Sequence, residues 1–576
     1  DYIFSGLKWK KLHAGQMKEA PGRAGSRPLC KKSHRANGMR GIIILLDSVC
    51  MEAQGMRDIR SIYEFRAGCT AVRMLKAAGH KAYFVGGCVR DEMTRRMSRP
   101  SAEDIFGSCR YARALTDEPH LRGSSNMIDI DITTSATPEE MMRVFHGMKI
   151  IKTGIKHGTI TLIAEADGGD APQNESGADQ RTGGQAGSEI LAECGESDKS
   201  VRMVPLEITT YRTESGYSDC RHPDSVGFTR SLEEDLKRRD FTVNALAMDE
   251  NGSITDILGA SEDLRNRVLR AVGDPDERFR EDALRIMRAM RFASVLGFRI
   301  EEKTEAAMFR NSGLLKKLSV ERVFSEFRKL VTGKHAPDVV RRYIDVLGEV
   351  FPELYAMKGF DQRNRYHKYD VLEHCIHAME AVKTTPGNRE HMKTAALFHD
   401  IGKPLTYSPD DTGRGHFFGH AAKGAEVTAE IMKRFRVDKA FADRVVLLVK
   451  YHDMLFESDE RLLKKWMRKF TPEVLFEILA IKFADNLATG NMTEALKVKF
   501  SEIEMMMRGI LEQEQCFSLK DLAVGGSDLL AAGMEPGPAV GAMLEVLLEK
   551  VTDGELENSK DVLMTEAERI MSADHG

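Results

Sequence analysis

Residues 127–133, Met-Ile-Asp-Ile-Asp-Ile-Thr, alternate isoleucine with aspartate and predict a β-strand with two unlike faces. Successive side chains of a strand point to opposite faces, so the isoleucines face a core while Asp129 and Asp131 project together from the other side. Two carboxylates on one face suit a pair of Mg²⁺ ions, which prefer oxygen ligands and can hold both the attacking and the leaving oxygen of a phosphoryl transfer. An exposed strand with no ligand can show the same pattern, so the pair needs support from elsewhere in the chain.

A glycine pair lies upstream, after the short apolar segment 82–85, which predicts another strand. Gly86 and Gly87 allow the backbone to approach a ligand closely and to present N–H groups to a triphosphate. Arg90 would add a positive fork for phosphate oxygens. A glycine pair alone is usually a turn and a single arginine is usually solvated, but together with the two aspartates they favour a nucleotide site.

Two motifs, G-G-x-V-R-D at 86–91 and D-x-D-x-x-T-x-A-T-P-E at 129–139, resemble the head of the class II tRNA nucleotidyltransferases, which share a superfamily with bacterial poly(A) polymerases. Three further blocks follow in the order of that family: L-E-I-T-T-Y-R at 206–212, R-R-D-F-T-V-N-A at 238–245 and E-D-A-L-R-I-M-R-A-M-R-F at 281–292. The resemblance covers roughly residues 60 to 490. One departure is that residues 92–128 separate the first two motifs, which we interpret as a surface insertion.

The resemblance implies an α+β fold with a polymerase-β-type head and helical domains after it. It implies that Asp129, Asp131 and Glu207 are catalytic, with Mg²⁺ held by the two aspartates. The residues implied to bind the nucleotide are Gly86, Gly87, Arg90, Arg239, Asp282, Arg285, Arg288 and Arg291. The implied partners are tRNA, ATP and CTP, in the cytoplasm, with no membrane and no DNA.

The block at 281–292 also has a reading from its own chemistry. If it forms one helix, Asp282 and Arg285 share a face and offer an acceptor beside a donor. Cytosine and adenine present an amino donor beside a ring-nitrogen acceptor, whereas guanine and uracil present the reverse, so the pair could select C and A. The alternative is that Glu281 and Arg285 form an ordinary helix ion pair.

A second set of polar residues occupies the region 366–486 in the order H…HD…H…H…D, with His-Asp-Ile-Gly-Lys at 399–403. This order resembles the HD phosphohydrolase superfamily, which is all-α and binds metal. Imidazole and carboxylate ligands suit a divalent metal, whose identity the sequence leaves open. Lys403 either holds a substrate phosphate or is a solvated lysine. The ligands that the resemblance implies are His374, His399, Asp400 and Asp485, with His420 and His452 as candidates for a second ion.

The length of 576 residues allows several domains with cores of their own. The nine cysteines include no C-x-x-C pair, which argues against structural zinc and favours a reducing compartment. Residues 165–200 are almost free of apolar side chains and are predicted to be a disordered loop. The predicted order is a basic, disordered or non-native extension at 1–55, a head at 60–230 with insertions at 92–128 and 165–200, a helical neck and body at 235–350, an HD domain at 360–490 and a helical tail at 491–576. An RNA-binding arm is the alternative for residues 1–55.

The predicted function is template-independent addition of C, C and A to the 3′ end of tRNA, with a second phosphohydrolase site in the HD domain. Residues 143–158 resemble the family's flexible loop that accompanies the switch to adenosine, which favours complete CCA addition. The alternatives are a poly(A) polymerase, an enzyme that adds only CC or only A, and an HD phosphohydrolase whose head merely binds RNA.

Overall fold

The computed structural model describes residues 63–97, 130–166, 202–215, 225–363, 368–512 and 519–573. The basic extension at 1–55, residues 98–128 of the first insertion and residues 167–200 of the second lie outside the described residues. The same is true of Asp129, so the structure describes only the second aspartate of the alternating segment.

The amino-terminal part of the described chain is a sheet flanked by helices. Its helices are α1 (Tyr63–Ala77), α2 (Gly87–Met97), α3 (Pro138–Val144), α4 (Leu232–Lys237) and α5 (Ala260–Arg265). Its strands and the short pairs after them are β1 (Ala82–Val85), β2 (Asp131–Thr134), β3 (Lys149–Ile151), β4 (Thr159–Ala166), β5 (Arg202–Thr210), β6 (Arg212–Ser215), β7 (Ser225–Phe228), β8 (Leu246–Met248), β9 (Ile254–Asp256), β10 (Val268–Leu269) and β11 (Arg299–Ile300). The main sheet has the order β3-β4-β5-β2-β1-β8-β9, while β6 pairs with β7 and β10 with β11.

The alternation predicted from the isoleucines decides which face of this sheet is buried. Ile132 on β2, Ile160 on β4 and Ile208 on β5 are at most 1% exposed and belong to the main hydrophobic core. Helix α1 packs against these same three strands. The opposite face, which carries Asp131, is therefore the one left available for polar chemistry. The predicted flexible segment 143–158 includes strand β3, which pairs antiparallel with β4.

Helices make up the next part of the chain: α6 (Pro275–Glu281), α7 (Leu284–Leu296), α8 (Glu302–Asn311), α9 (Val320–Val331), α10 (Ala336–Leu347) and α11 (Pro352–Tyr355). Aromatic side chains join them to the helices that follow. Phe327 on α9 lies 4.4 Å from the ring of Phe351 and 6.0 Å from that of Phe398, measured between ring centroids. Such contacts bury large apolar areas and fix α9 between its neighbours.

The block at 281–292 is not one helix, so this part of the sequence prediction is wrong. Helix α6 ends at Glu281, Asp282 has extended backbone angles (φ −137°, ψ 100°), and α7 begins at Leu284. The Asp282 carboxylate accepts a hydrogen bond from the Leu284 N–H at 3.1 Å. This bond satisfies one of the N–H donors that the start of a helix leaves unpaired, and it stabilises the turn at Asp282.

The carboxyl-terminal half is helical and begins with α12 (Val371–Ala381), α13 (Arg389–Phe398), α14 (Lys403–Thr406), α15 (His420–Arg434), α16 (Lys439–Tyr451), α17 (Glu460–Phe470) and α18 (Pro472–Ala488), with the short strands β12 (Ser408–Pro409) and β13 (Gly415–His416) between α14 and α15. It ends with α19 (Glu494–Glu512), α20 (Gly526–Ala531), α21 (Pro538–Thr552) and α22 (Lys560–Ala573). The predicted α+β class, a sheet-containing head before helical parts, is confirmed. Within the described ranges, no helix has both the length and the apolar character needed to cross a membrane.

Candidate active site and histidine cluster

Asp131 and Glu207 lie side by side on the polar face of the sheet. Strands β2 and β5 pair in parallel, with Asp131 in register with Glu207 and Ile132 in register with Ile208. Neighbouring strands are about 4.8 Å apart, and residues in register share a face, so the two carboxylates project together. Asp131 is half-buried and Glu207 is exposed. The pair is therefore open to a ligand on the polar face.

The glycine turn approaches Asp131 directly. Gly86 has a φ of +78°, and a Cβ added there would stand 3.0 Å from Asp131 Oδ2. The same Cβ position lies 3.9 Å from Arg239 Nη1. Only glycine combines this backbone angle with this close approach. Helix α2 begins at Gly87, so the first-turn N–H groups and the positive end of the helix are beside the carboxylate, an arrangement that suits a phosphate.

The Arg90 side chain is fixed by its neighbours and is not free to move toward a phosphate. Its guanidinium donates to Asp91 Oδ1 at 2.8 Å and to Asn244 Oδ1 at 2.9 Å, and the residue is 9% exposed. It also lies over the ring of Phe292, 5.5 Å from the centroid. Arg90 therefore contributes a fixed positive charge behind the glycine turn.

Three consecutive residues, Arg238, Arg239 and Asp240, join this face to helix α7. The Arg238 carbonyl accepts from Arg285 Nη2 at 3.1 Å, and Asp240 Oδ2 accepts from Arg288 at 2.6 and 2.8 Å. Burial alone would raise the pKa of Asp240, but Arg288 outweighs it and lowers that pKa to about 2. Arg239 stands beside the glycine turn, so one short segment touches both predicted halves of the nucleotide site.

Arg285 is fixed by three acceptors. Its Nη1 donates to Glu281 Oε2 at 2.6 Å and to the Arg278 carbonyl at 3.0 Å, in addition to the bond from Nη2 to Arg238. The predicted alternative, a Glu281–Arg285 ion pair, is thus present, although the two residues belong to different helices. These bonds fix the orientation of the Arg285 guanidinium, and some of its five N–H donors remain available for a ligand.

Arg322 on α9 holds the other oxygen of Asp282. Arg322 Nη2 lies 3.1 Å from Asp282 Oδ2, while Oδ1 accepts from Leu284. One turn further along α9, Glu326 pairs with Arg291 at 3.1 Å. Burial lowers the pKa of Arg291 to about 10 despite that partner.

Buried guanidinium nitrogens without a hydrogen-bond partner occur around this region. Within the part of the chain that the structure describes, they include Nε of Arg239, Nε of Arg278 and Nη1 of Arg322. A buried unpaired donor costs about 1–3 kcal/mol, and native proteins avoid it unless an acceptor arrives. These donors are consistent with a site for an acceptor-rich ligand such as a nucleotide.

The six residues predicted as metal ligands in the second half form one cluster, in which four of the six side chains are at most 2% exposed. His374 Nε2 lies 3.0 Å from Asp485 Oδ1, 3.2 Å from His399 Nε2 and 3.4 Å from Asp400 Oδ2. The first turn of α12, the carboxyl end of α13 and the last turn of α18 bring these residues together from more than a hundred positions of sequence.

A second group shares the same aspartate. His420 Nε2 lies 3.2 Å from His452 Nε2 and 3.4 Å from Asp400 Oδ1, so the two oxygens of Asp400 face different histidine pairs. Each group has its ligand atoms within 4.8 Å of one another. The arrangement can hold two ions with Asp400 between them.

Backbone carbonyls fix which imidazole nitrogen faces the centre of the cluster. A carbonyl can only accept, so the nitrogen next to it must carry the proton. The pairs are Nδ1 of His399 with Ala396 at 2.8 Å, Nδ1 of His420 with Phe417 at 2.9 Å and Nδ1 of His452 with Val449 at 2.7 Å. In the neutral imidazole each Nε2 then presents a lone pair to the others, an arrangement that a cation stabilises.

Two lysines offset the acidic charge of the cluster. Lys403 is 5% exposed, and its Nζ lies 2.6 Å from Asp400 Oδ2 and 2.8 Å from Gln362 Oε1. Lys482 Nζ is 3.4 Å from Asp485 Oδ2. Burial would raise the pKa of Asp400, but Lys403 and the histidines hold it well below its usual value. Lys403 is therefore part of the cluster, not a solvated helix-end lysine.

Comparison with known proteins gives matches along most of the chain. Residues 82–171 and 173–270 match the family model of the "Poly A polymerase head domain". Residues 297–357 match "Probable RNA and SrmB- binding site of polymerase A", and residues 417–567 match "tRNA nucleotidyltransferase domain 2 putative". The CCA-adding enzyme of Lactobacillus helveticus is 32% identical over 497 residues, which are 85% of this chain and 94% of that protein. The chain belongs to the CCA-adding enzyme family.

Two further matches agree with this family. The CCA-adding enzyme of Latilactobacillus sakei is 31% identical and covers 88% of this chain and 98% of its own length. The crystal structure of the Bacillus stearothermophilus CCA-adding enzyme in complex with CTP superposes with a TM-score of 0.55 at 27% identity, over 89% of this chain and 99% of that one. The recognition from sequence motifs, as a tRNA nucleotidyltransferase of this family, is confirmed.

Some residues of this site carry no local signal in the sequence. Asp240 and Asn244 lie inside the R-R-D-F-T-V-N-A block, yet their partners Arg288 and Arg90 are 48 and 154 positions away. Arg322, the partner of Asp282, is on a helix outside every quoted motif. The sequence offered one hint: Arg322 and Glu326 on α9 carry opposite charges and are four residues apart, so they share one face of the helix.

Replacing Arg288 by methionine keeps much of the side-chain volume but leaves Asp240 buried without its main partner. We expect a loss of about 2–4 kcal/mol, below the upper range for a fully buried pair, because 34% of the Arg288 side chain is exposed. The pKa of Asp240 is about 2, against roughly 3.9 for an unfolded aspartate. The Asp240–Arg288 pair therefore stabilises the folded protein fully above the pKa of the unfolded aspartate, and this stabilisation is lost as the pH falls through the pKa of Asp240 in the folded protein. Thermal melts should differ at neutral pH and converge in acid.

Arg310→Met is the matched control, since Arg310 pairs with Asp276 at 2.5 Å on the surface and is 58% exposed. We expect little change in its melting midpoint, as for exposed ion pairs in general. Equal losses in both variants would contradict the assignment of Asp240–Arg288 as the structural link.

Proposed function

We propose that this protein adds the 3′-terminal C, C and A to tRNA, using CTP and ATP and releasing pyrophosphate. The observation that carries the proposal is the register of Asp131 with Glu207 beside the Gly86 turn. Relatives named CCA-adding enzymes over 85–88% of the chain support it, as does the CTP complex of the similar structure.

In this proposal the polar face of the sheet positions the triphosphate and the RNA end. Asp129, Asp131 and Glu207 are the carboxylates suited to hold divalent ions such as Mg²⁺. Ions bound there would neutralise the triphosphate oxygens and activate the 3′-hydroxyl. The N-terminus of α2 and the side chains of Arg90 and Arg239 orient the phosphates. The hydroxyl then attacks the α-phosphate, and pyrophosphate leaves.

Base selection is assigned to Asp282 and Arg285. The carboxylate accepts from the amino group of cytosine or adenine, while the fixed guanidinium donates to the neighbouring ring nitrogen. Guanine and uracil would leave both groups mismatched, and a buried mismatched group is costly. The turn at Asp282 supports this role, because it frees the carboxylate from the helix and anchors it between α6 and α9.

The runner-up is a poly(A) polymerase or an enzyme that adds only CC or only A. The head and RNA-binding family models carry the polymerase A name, so the fold alone serves either activity. The names of the relatives favour CCA addition.

The proposal is tested on a tRNA that lacks its last three nucleotides, with each NTP alone and with CTP and ATP together. CTP alone should add two residues, CTP with ATP should add three, and UTP or GTP should add none. Sequencing gels resolve each product. A long ladder with ATP alone would show a poly(A) polymerase, and arrest after CC or addition of A alone would show a partial enzyme.

A second candidate function, a metal-dependent phosphohydrolase, is favoured by the histidine cluster. The Nε2 atoms of its histidines and the oxygens of Asp400 and Asp485 converge in a site where most of the side chains are under 3% exposed. Divalent ions held there would supply Lewis-acid activation of a phosphate ester and of water. The two more exposed members are His420 and Asp485, and in this proposal they are the ones nearest to an entering substrate.

The cluster is tested with a His399→Ala, Asp400→Ala double variant. It should lose bound divalent metal and any metal-dependent hydrolysis of phosphomonoesters or cyclic phosphates, yet keep CCA addition, since none of the nucleotide residues lies in the cluster. His377→Ala is the control, because His377 shares α12 with His374 but is 30% exposed and pairs with Glu373. Unchanged metal content in the double variant, or loss of CCA addition in a folded one, would refute independent sites.

A further inference from the structure

Asp282 is oriented by two hydrogen bonds that come from different parts of the chain. Its Oδ1 accepts from Leu284 of the following helix at 3.1 Å, and its Oδ2 accepts from Arg322 of α9 at 3.1 Å. The Asp282 side chain is 20% exposed and that of Arg322 29%. With only the bond from the nearby Leu284 N–H, the Asp282 carboxylate could still rotate about its χ angles. The second bond, from Arg322, fixes the plane of the carboxylate.

Helix α9 is a rigid platform for this contact. Arg322 and Glu326 are four apart and so share one face, where Glu326 pairs with Arg291 of α7. Phe324 and Phe327 anchor the helix in the aromatic core, with Phe327 at most 1% exposed. A guanidinium mounted on such a helix keeps its position when the ligand changes.

A second observation points toward a ligand. Arg322 Nη1 is buried and has no hydrogen-bond partner among the described residues. Its neighbour Nη2 is used by Asp282, so the unpaired donor stands beside the proposed base-reading carboxylate. Buried donors of this kind are retained where they serve a site.

We propose that Arg322 is a positioning residue for base selection, which fixes the Asp282 carboxylate so that its remaining lone pairs face the amino group of C or A. This inference rests on the proposed role of Asp282. Arg322 acts through Asp282 and forms no bond to the reacting phosphate. Helix α9, within the region matched to an RNA-binding model, thereby also controls which nucleotide is accepted.

The effect of removing Arg322 follows from this geometry. Without it, Asp282 samples several orientations, so C and A lose a well-aligned acceptor and U and G lose the group that opposed them. Removing Asp282 itself should lower selectivity for C and A over U and G by about 10- to 100-fold. Removing Arg322 should lower it by roughly 3- to 30-fold, since the carboxylate remains but is no longer held.

The test measures single-turnover incorporation of all four NTPs by Arg322→Gln, Arg322→Lys, Asp282→Ala and the double variant Asp282→Ala, Arg322→Gln. Arg322→Gln should lose selectivity mainly through a higher KM for CTP and ATP. Arg322→Lys, which keeps the charge but not the fork, should fall between it and the wild type. The double variant should be no less selective than Asp282→Ala, because the arginine acts through the aspartate.

Arg328→Gln is the matched control. Arg328 lies on the same helix but pairs with Glu390 at 2.6 Å and Asp438 at 3.2 Å, away from Asp282. It should retain the selectivity of the wild type. If Arg322→Gln fails to fold, Arg322→Lys alone decides: a reduced preference for C and A supports the proposal, and an unchanged one overturns it.

Two failures are distinguishable. Unchanged selectivity in Asp282→Ala would refute base reading by Asp282, and with it the basis of this inference. Altered selectivity in Asp282→Ala, with a uniform loss for all NTPs in Arg322→Gln or additive effects in the double variant, would overturn the positioning role alone.

Discussion

The parallel pairing of β2 with β5 is the constraint on which the head depends. Within the described part of the main sheet the other pairings are antiparallel, and this one sets Asp131 in register with Glu207 while Ile132 and Ile208 point into the core. A slip of one residue would exchange the two faces, burying carboxylates and exposing isoleucines. The hydrophobic core and the face proposed to be catalytic are therefore specified by the same register.

The segment 238–240 extends that constraint to the helices. Arg239 stands at the glycine turn, the Arg238 carbonyl fixes Arg285, and Asp240 binds Arg288. Three consecutive residues thus connect the groups proposed to position the phosphates with the groups proposed to select the base. Helix α9 adds a second support through the ion pairs of Arg322 with Asp282 and of Glu326 with Arg291.

Sequence reasoning found what is local and missed what depends on long-range pairing. The alternation of isoleucine and aspartate carries its own signal, so the sheet face followed from it. The members of the cluster followed from the resemblance of the H…HD…H…H…D order to the HD phosphohydrolase superfamily. The break at Asp282 could not be predicted, because the sequences before and after it both suit a helix. Only the hydrogen bond from the Leu284 N–H, seen in the structure, shows the turn. Arg322 could be identified only from the structure, where it reaches from α9 to Asp282.

The most direct test of the central claim, that the Asp131–Glu207 face is the catalytic site of CCA addition, compares Asp131→Ala with Glu165→Ala. Glu165 is an exposed acid on β4 of the same sheet. Single-turnover addition of CTP to tRNA lacking CCA should fall by about 10³-fold or more in Asp131→Ala, while tRNA affinity and the Glu165→Ala variant stay close to wild type. Substantial addition by a folded Asp131→Ala protein would contradict the claim.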